Sequence, residues 1–128
     1  MTRRGVRRWI PTIVVAVVVF VLSAVQVGGA GSTSGSLGLV GLDKWLHAVG
    51  YAGLSFLVAA AFGRRGWRSL TAVVALVVVF GGAIELVQGA LPWRSASVLD
   101  LLADAVGALV GVAAYRGWRA VRGRVRPV

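Results

Sequence analysis

Few residues in this sequence are suited to acid–base or metal chemistry. The four acidic residues are Asp43, Glu85, Asp100 and Asp104, and His47 is the only histidine. Carboxylates and imidazoles act as general acids and bases, and together they can hold a divalent cation. The chain has no cysteine and no H-E-x-x-H motif, so disulfides, thiolate metal sites and that class of metalloprotease are excluded.

The spacing of the polar residues predicts that they share helical faces. Side chains three or four positions apart lie on the same face of a helix. Three groups follow this rule: Asp43 with His47 and Tyr51, Glu85 with Gln88, and Asp100 with Asp104. An ionised carboxylate that faces lipid is costly, so we expect the three faces to point toward one another.

The composition indicates a membrane protein. Of the 128 residues, 58% are hydrophobic and 14% are charged, and the mean hydropathy is +0.84. A soluble domain has about 25% charged residues. So short a chain cannot bury this much apolar surface in one soluble core.

Four apolar stretches reach the length of about 20 residues that a membrane-spanning helix needs. They cover about 9–28, 44–63, 69–91 and 98–116. We predict an all-α polytopic membrane protein, with four transmembrane helices in an antiparallel bundle. The chain forms a single domain over 1–128 and ends in a basic cytoplasmic tail at 117–128.

The distribution of basic residues predicts the orientation in the membrane. Twelve of the 14 lie in the N-terminal segment, in the loop between the second and third helices, and from Arg116 onward; Lys44 and Arg94 do not. Both termini are therefore expected in the cytoplasm, and the polar residues in the outer leaflet. The net charge of +10 is interpreted as a topology signal and not as a nucleic-acid surface.

The first apolar segment has a second interpretation. Four arginines, an apolar run and small residues also describe a secretory signal peptide. The apolar run is longer than the usual signal core of about 7–15 residues, which favours a retained helix.

The candidate functional site is a set of residues near the predicted outer ends of helices two to four, called the polar cluster below. Its members are Asp43, Lys44, His47, Tyr51, Glu85, Gln88, Arg94, Ser97, Asp100 and Asp104. The acids outnumber the bases. Either some carboxylates are protonated, or a cation completes the site.

Several members of the polar cluster also have simpler explanations. Asp43 precedes an apolar helix and is placed to cap it, and Ser97-x-x-Asp100 fits a capping box. Lys44 is placed to anchor the helix at the membrane interface, and His47 is placed to pack inside the bundle. Glu85, Gln88 and Asp104 are the least explained by caps. No catalytic residue is assigned and no cofactor is predicted, with a divalent cation as the alternative.

Small residues predict where helices approach closely. Gly107 and Gly111 form a small-xxx-small pair in the fourth helix, and Gly81-Gly82 lies one turn before Glu85. We expect Gly107 and Gly111 to serve helix packing.

The order of these motifs resembles the VanZ-like family of small membrane proteins. The family pattern is approximately D-K-x-x-H-x-x-x-Y, E-x-x-Q, then R-x-x-S-x-x-D-x-x-x-N-x-x-G-x-x-x-G. This sequence matches it between Asp43 and Gly111, with Asp104 standing where the family usually has asparagine. The family's namesake is associated with low-level resistance to the glycopeptide teicoplanin. The resemblance implies a cell-membrane location and a role in the cell envelope.

Three classes of function fit the sequence. The first is a non-enzymatic membrane protein that binds an envelope lipid, a lipid-linked glycan precursor or a drug, or that modulates the assembly of partner proteins. The second is a membrane-embedded enzyme with Glu85 or Asp104 as acid or base and His47 as base or metal ligand. The third is a proton- or ion-coupled transporter, which at this size would be a homo-oligomer. The restriction of the polar residues to one leaflet argues against a transporter.

Overall fold

The computed structural model describes residues 3–24, 36–37, 40–63, 66–92 and 96–124. Its helices are α1 (Arg3–Ala24), α2 (Leu42–Phe62), α3 (Trp67–Gly89) and α4 (Val98–Arg124). Two short strands, β1 (Ser36–Leu37) and β2 (Val40–Gly41), pair in an antiparallel ribbon directly before α2. Each of the four helices is long and apolar enough to cross a membrane, which confirms the predicted fold class.

The helix boundaries differ from the predicted ones at both ends of the chain. α1 begins at Arg3, before the apolar run, and is described as far as Ala24; the predicted end near 28 lies outside the described residues. α4 continues to Arg124, through most of the segment predicted as a tail. Arginine favours helix nearly as well as leucine does, so a basic segment that follows a stable helix can prolong it. α3 ends at Gly89, shortly before Pro92, near which a helix is unfavourable.

Consecutive helices run antiparallel. At one end of the bundle the start of α1 meets the end of α2, where the Arg8 guanidinium donates to the carbonyl of Ala61 at 2.6 Å. Trp9 and Phe62 make an edge-to-face contact beside it, with ring centroids 5.0 Å apart. A cation at a helix C-terminus satisfies carbonyls that lack partners and matches the helix dipole.

The closest helix pair is not consecutive in sequence. α2 and α4 run parallel, with Gly107 against the backbone of Ala48 and Gly111 against the backbone of Ala52. A Cβ atom at either glycine would overlap the carbonyl oxygen of the opposing alanine. Only glycine permits this approach, and it sets the register between α2 and α4.

The hydrophobic core lies along the α2–α4 contact, with α3 packed against it. The Ser55 hydroxyl donates to the carbonyl of Ala108 at 2.7 Å inside this core. The buried members of the core are Tyr51, Leu54, Val58, Ala59, Leu70, Val73, Val77, Ala108, Val112 and Tyr115.

The helix α1 lies at the periphery of the bundle. Only 6% of its membrane-spanning window is buried, compared with 33% for α2, 33% for α3 and 39% for α4. Most of its apolar side chains are therefore left to face lipid. The core that positions the polar cluster is built mainly by α2, α3 and α4.

Candidate functional site

The polar cluster lies at the end of the bundle where α2 and α4 begin and α3 ends. His47 is in the second turn of α2, Glu85 is one turn from the end of α3, and Asp104 is in the second turn of α4. Helix direction alone brings these residues to a similar level. The arginines of α1, such as Arg8, lie at the opposite end of the bundle.

The centre of the polar cluster is a contact between His47 and Asp104. Nδ1 of His47 donates to Oδ1 of Asp104 at 2.8 Å, and the Asp104 side chain is almost fully buried. The ring of Tyr51 stacks on the His47 ring, with centroids 6.1 Å apart and planes 5° from parallel. The imidazole is thus held on one edge by a carboxylate and on one face by an aromatic ring.

The Asp104 carboxylate fits against α3 because residue 81 is glycine. A Cβ built on Gly81 would lie 2.5 Å from Oδ2 of Asp104 and 3.1 Å from Cε1 of Tyr51. The sequence signal for this contact was the Gly81-Gly82 pair. Which of the two glycines faces Asp104 depends on the rotation of α3, which the sequence does not specify.

Gly81→Ala is expected to displace the Asp104 carboxylate and to lower stability by about 1–3 kcal/mol, as overpacking does. Gly82→Ala is the matched control, because its Cβ would make only an ordinary contact, 3.9 Å from Leu101. Thermal unfolding in detergent measures both. A Gly81→Ala variant as stable as Gly82→Ala would contradict this arrangement.

The Glu85 carboxylate lies at the start of α4. Its Oε2 accepts a hydrogen bond from the backbone N–H of Ser97 at 2.6 Å. The Ser97 hydroxyl in turn accepts from the backbone N–H of Asp100 at 3.2 Å. Ser97 is therefore the N-cap, as predicted. Glu85, which sequence reasoning did not connect with a cap, takes the position that a capping box would give to Asp100.

The Asp100 carboxylate instead pairs with Lys44. Nζ of Lys44 lies 3.4 Å from Oδ1 of Asp100, which joins the starts of α2 and α4. The side chains keep 25% and 11% exposure, so this pair forms part of the accessible rim of the polar cluster.

Gln88 connects α3 to α1. Its Nε2 donates to the carbonyl of Ser23 at 2.6 Å, and the side chain is buried. That carbonyl lies in the last described turn of α1. Sequence reasoning identified Gln88 but not Ser23, since a backbone carbonyl carries no sequence signal.

Two predicted members of the polar cluster are not placed by the structure. Arg94 lies outside the described residues. The helix α2 begins at Leu42, so Asp43 belongs to its first turn and does not precede it, and its side chain is outside the described part.

Comparison with models of known protein families shows the family to which this chain belongs. A family model described as VanZ/LLP1 matches residues 8–120, nearly the whole sequence. The chain belongs to the VanZ/LLP1 family. The resemblance inferred from the motifs is confirmed, and the family together with four spanning helices supports a multi-pass membrane protein. Comparisons with curated proteins and with solved structures give no significant match.

Buried oxygen atoms without hydrogen-bond partners are concentrated in the polar cluster of this VanZ/LLP1 protein. Among the described residues, seven buried side-chain nitrogen or oxygen atoms lack a partner. Two of them, on Thr12 and Arg119, lie elsewhere. The other five are Tyr51 Oη, Glu85 Oε1, Gln88 Oε1, Asp100 Oδ1 and Asp104 Oδ2. Asp100 Oδ1 nevertheless lies 3.4 Å from Nζ of Lys44, and the Tyr51 and Asp104 side chains interact with each other. Leaving such atoms unsatisfied costs free energy, so their concentration in one place is a property of a site.

The same cluster of this VanZ/LLP1 chain has a set of donor atoms suited to a metal ion. One donor atom each from His47, Glu85 and Asp100 lie within 4.8 Å of one another. Two of these residues are buried and His47 is half-buried.

Proposed function

We propose that this VanZ/LLP1 protein binds the polar headgroup of an envelope lipid or a lipid-linked precursor in its polar cluster. The observation that carries the proposal is the concentration of buried oxygens that accept no hydrogen bond in the polar cluster, above all Glu85 Oε1 and Gln88 Oε1, which have no partner among the described residues. Hydrogen-bond donors or a cation from a ligand would satisfy them and recover the free energy that their burial costs.

The charge of the polar cluster selects the ligand chemistry. Among the side chains of the polar cluster that the structure describes, three carboxylates, on Glu85, Asp100 and Asp104, lie with one ammonium group, on Lys44, and one imidazole. The ligand should therefore bring positive charge or several hydrogen-bond donors, such as an amine or sugar hydroxyls. Access is by way of Lys44, His47 and Asp100, whose side chains keep 25%, 11% and 11% exposure.

The position of the polar cluster supports an envelope role. The polar cluster lies at one end of the bundle, and the arginines at the start of α1 and in the last turns of α4 lie at the other end. If the positive-inside rule sets the orientation, the end with the polar cluster lies in the outer leaflet, where envelope lipids and precursors are exposed.

Binding explains the polar cluster better than covalent catalysis does. A serine nucleophile would need a hydroxyl facing the His47 imidazole. The Ser97 hydroxyl caps α4, and the Ser55 hydroxyl is bonded to the carbonyl of Ala108. Both of these hydroxyls already serve the structure.

The proposal is tested by expressing the protein in a teicoplanin-sensitive bacterial host. We expect the wild type to raise the inhibitory concentration of teicoplanin, and His47→Gln and Glu85→Gln to abolish that increase. Each change keeps the approximate size of the side chain but removes the imidazole or the charge that the ligand meets.

Membrane levels, measured by immunoblot, must match between the variants and the wild type. Gly117→Ala is the control substitution, because it lies on α4 and its Cβ would meet no atom within 4 Å. Full protection by His47→Gln and Glu85→Gln, or no protection by the wild type, would refute the proposed function.

A further inference from the structure

We propose that the polar cluster holds a divalent transition-metal ion, such as Zn²⁺, bound by His47, Glu85 and Asp100. This inference rests on the proposed function and deepens it: the ion neutralises Glu85 and Asp100, so the headgroup binds through hydroxyl groups and not through an amine. The three residues come from three different helices, α2, α3 and α4. An ion between them would therefore connect the helices that form the core.

The distances are close to what a metal site requires. The three donor atoms lie within 4.8 Å of one another. Tetrahedral ligands about 2.0–2.2 Å from a zinc ion are separated from one another by about 3.3–3.6 Å. Side-chain rotation that closes the remaining gap of little more than 1 Å would complete the site without moving the helices.

Both carboxylates offer an oxygen that accepts no hydrogen bond, although Oδ1 of Asp100 lies 3.4 Å from the Lys44 ammonium. Glu85 is 6% exposed and Asp100 is 8% exposed, so neither is simply hydrated. Oε1 of Glu85 and Oδ1 of Asp100 have no hydrogen-bond partner, whereas Oε2 of Glu85 is fixed by the N–H of Ser97. One oxygen of Glu85 thus orients the carboxylate and leaves the other for a ligand.

The contact between His47 and Asp104 prepares the imidazole for a metal. Nδ1 of His47 donates to Asp104, so a neutral imidazole presents the lone pair of Nε2. Metal-binding histidines usually donate their second nitrogen to a carboxylate in this manner, which fixes the tautomer and strengthens the ligand. Asp104 is therefore a positioning residue and not a ligand.

The donor types favour a first-row transition metal. Imidazole suits zinc, copper, iron and nickel, while carboxylates alone suit magnesium, calcium and manganese. Lys44 competes with the metal, because its Nζ lies 3.4 Å from Oδ1 of Asp100. Removal of the lysine charge should tighten metal binding, an effect that a purely structural ion pair would not produce.

The test is titration of the purified full-length protein with Zn²⁺ in detergent, after chelator treatment and without a polyhistidine tag. We expect one Zn²⁺ per chain by calorimetry and elemental analysis. His47→Gln, Glu85→Gln and Asp100→Asn should each weaken binding at least tenfold. Because the chain has one histidine and no cysteine, a Co²⁺ absorption spectrum reports on this site alone.

Two further variants separate positioning and charge from folding. Asp104→Asn should weaken Zn²⁺ binding by about 10–100-fold and shift the Co²⁺ spectrum. Lys44→Met should bind Zn²⁺ more tightly than the wild type. Ser55→Ala is the control, because Ser55 is buried between the same two helices and its hydroxyl donates to the carbonyl of Ala108. This variant should bind Zn²⁺ as the wild type does.

All variants are compared at equal monodispersity on gel filtration, so that loss of binding is not loss of fold. A wild type that binds no Zn²⁺ at micromolar concentration overturns the metal site. The metal site is also overturned if His47→Gln and Glu85→Gln bind Zn²⁺ with the affinity of the wild type. Failure to bind Zn²⁺ while the Glu85→Gln variant still loses teicoplanin protection removes the metal site and leaves the proposed function. If the wild type binds Zn²⁺ but the Glu85→Gln variant protects against teicoplanin as well as the wild type does, the metal site stands and the proposed function is refuted.

Discussion

Alanine at both Gly107 and Gly111 is expected to separate α2 from α4 and to destabilise the protein more than any other pair of single-methyl additions. Each new Cβ would overlap a backbone carbonyl, of Ala48 or of Ala52, and backbone cannot rotate away as a side chain can. Overpacking of this kind costs about 1–3 kcal/mol for each site. Equilibrium unfolding in detergent measures the loss.

Two other glycines of α4 provide a matched control with the opposite expected sign. A Cβ at Gly117 or Gly123 would meet no atom within 4 Å. Alanine restricts the unfolded chain and favours helix, so Gly117→Ala and Gly123→Ala should gain about 0.4–1 kcal/mol each. If the changes at 107 and 111 were as mild as these, the tight α2–α4 contact would be wrong.

The second large effect is expected at Asp104, where asparagine and alanine should behave differently. Asp104→Ala removes the acceptor of the His47 hydrogen bond within a buried pair and should cost about 3 kcal/mol. Asp104→Asn keeps an acceptor oxygen for the His47 hydrogen bond at nearly the same position and removes a buried negative charge. Its stability should equal or exceed that of the wild type.

The same reasoning extends to Glu85→Gln, whose amide oxygen can still accept from the N–H of Ser97. Thermal unfolding in detergent measures whether these carboxylate charges stabilise the bundle. The wild type is compared with Asp104→Asn, Asp104→Ala and Glu85→Gln. Stable amide variants indicate carboxylates that are retained at a cost to stability, as at a working site. An amide variant that loses as much as Asp104→Ala would show that charge itself holds the bundle together, and the polar cluster would then be a packing network.

Much of the fold is predictable from the sequence for physical reasons. Hydropathy and length predict four spanning helices, because a bilayer demands long apolar segments. Alternating helix directions then require that residues near the starts of α2 and α4 and the end of α3 share one end of the bundle. The polar cluster could therefore be proposed without coordinates, and the order of its motifs identified the family.

The pairing within the polar cluster could not be predicted in the same way. His47 meets Asp104, Lys44 meets Asp100, and the Glu85 carboxylate meets a backbone N–H. These partners depend on the register and rotation of the helices, which are set by a few glycines among the 18 in the chain. Spacing identifies which residues share a face, but not which face opposes it.

The attachment of α1 has a consequence for how the protein responds to its bilayer. α1 packs on the core through Val15, Ala16 and Val19, and it also makes polar contacts at both ends of its described length, from Arg8 to the end of α2 and from Gln88 to Ser23. A bilayer thinner or thicker than a helix changes the helix's tilt. Tilting of α1 would strain these two hydrogen bonds, and Gln88, which makes one of them, is one helical turn from Glu85. We therefore expect a change in bilayer thickness to reach the polar cluster through the contact between Gln88 and Ser23.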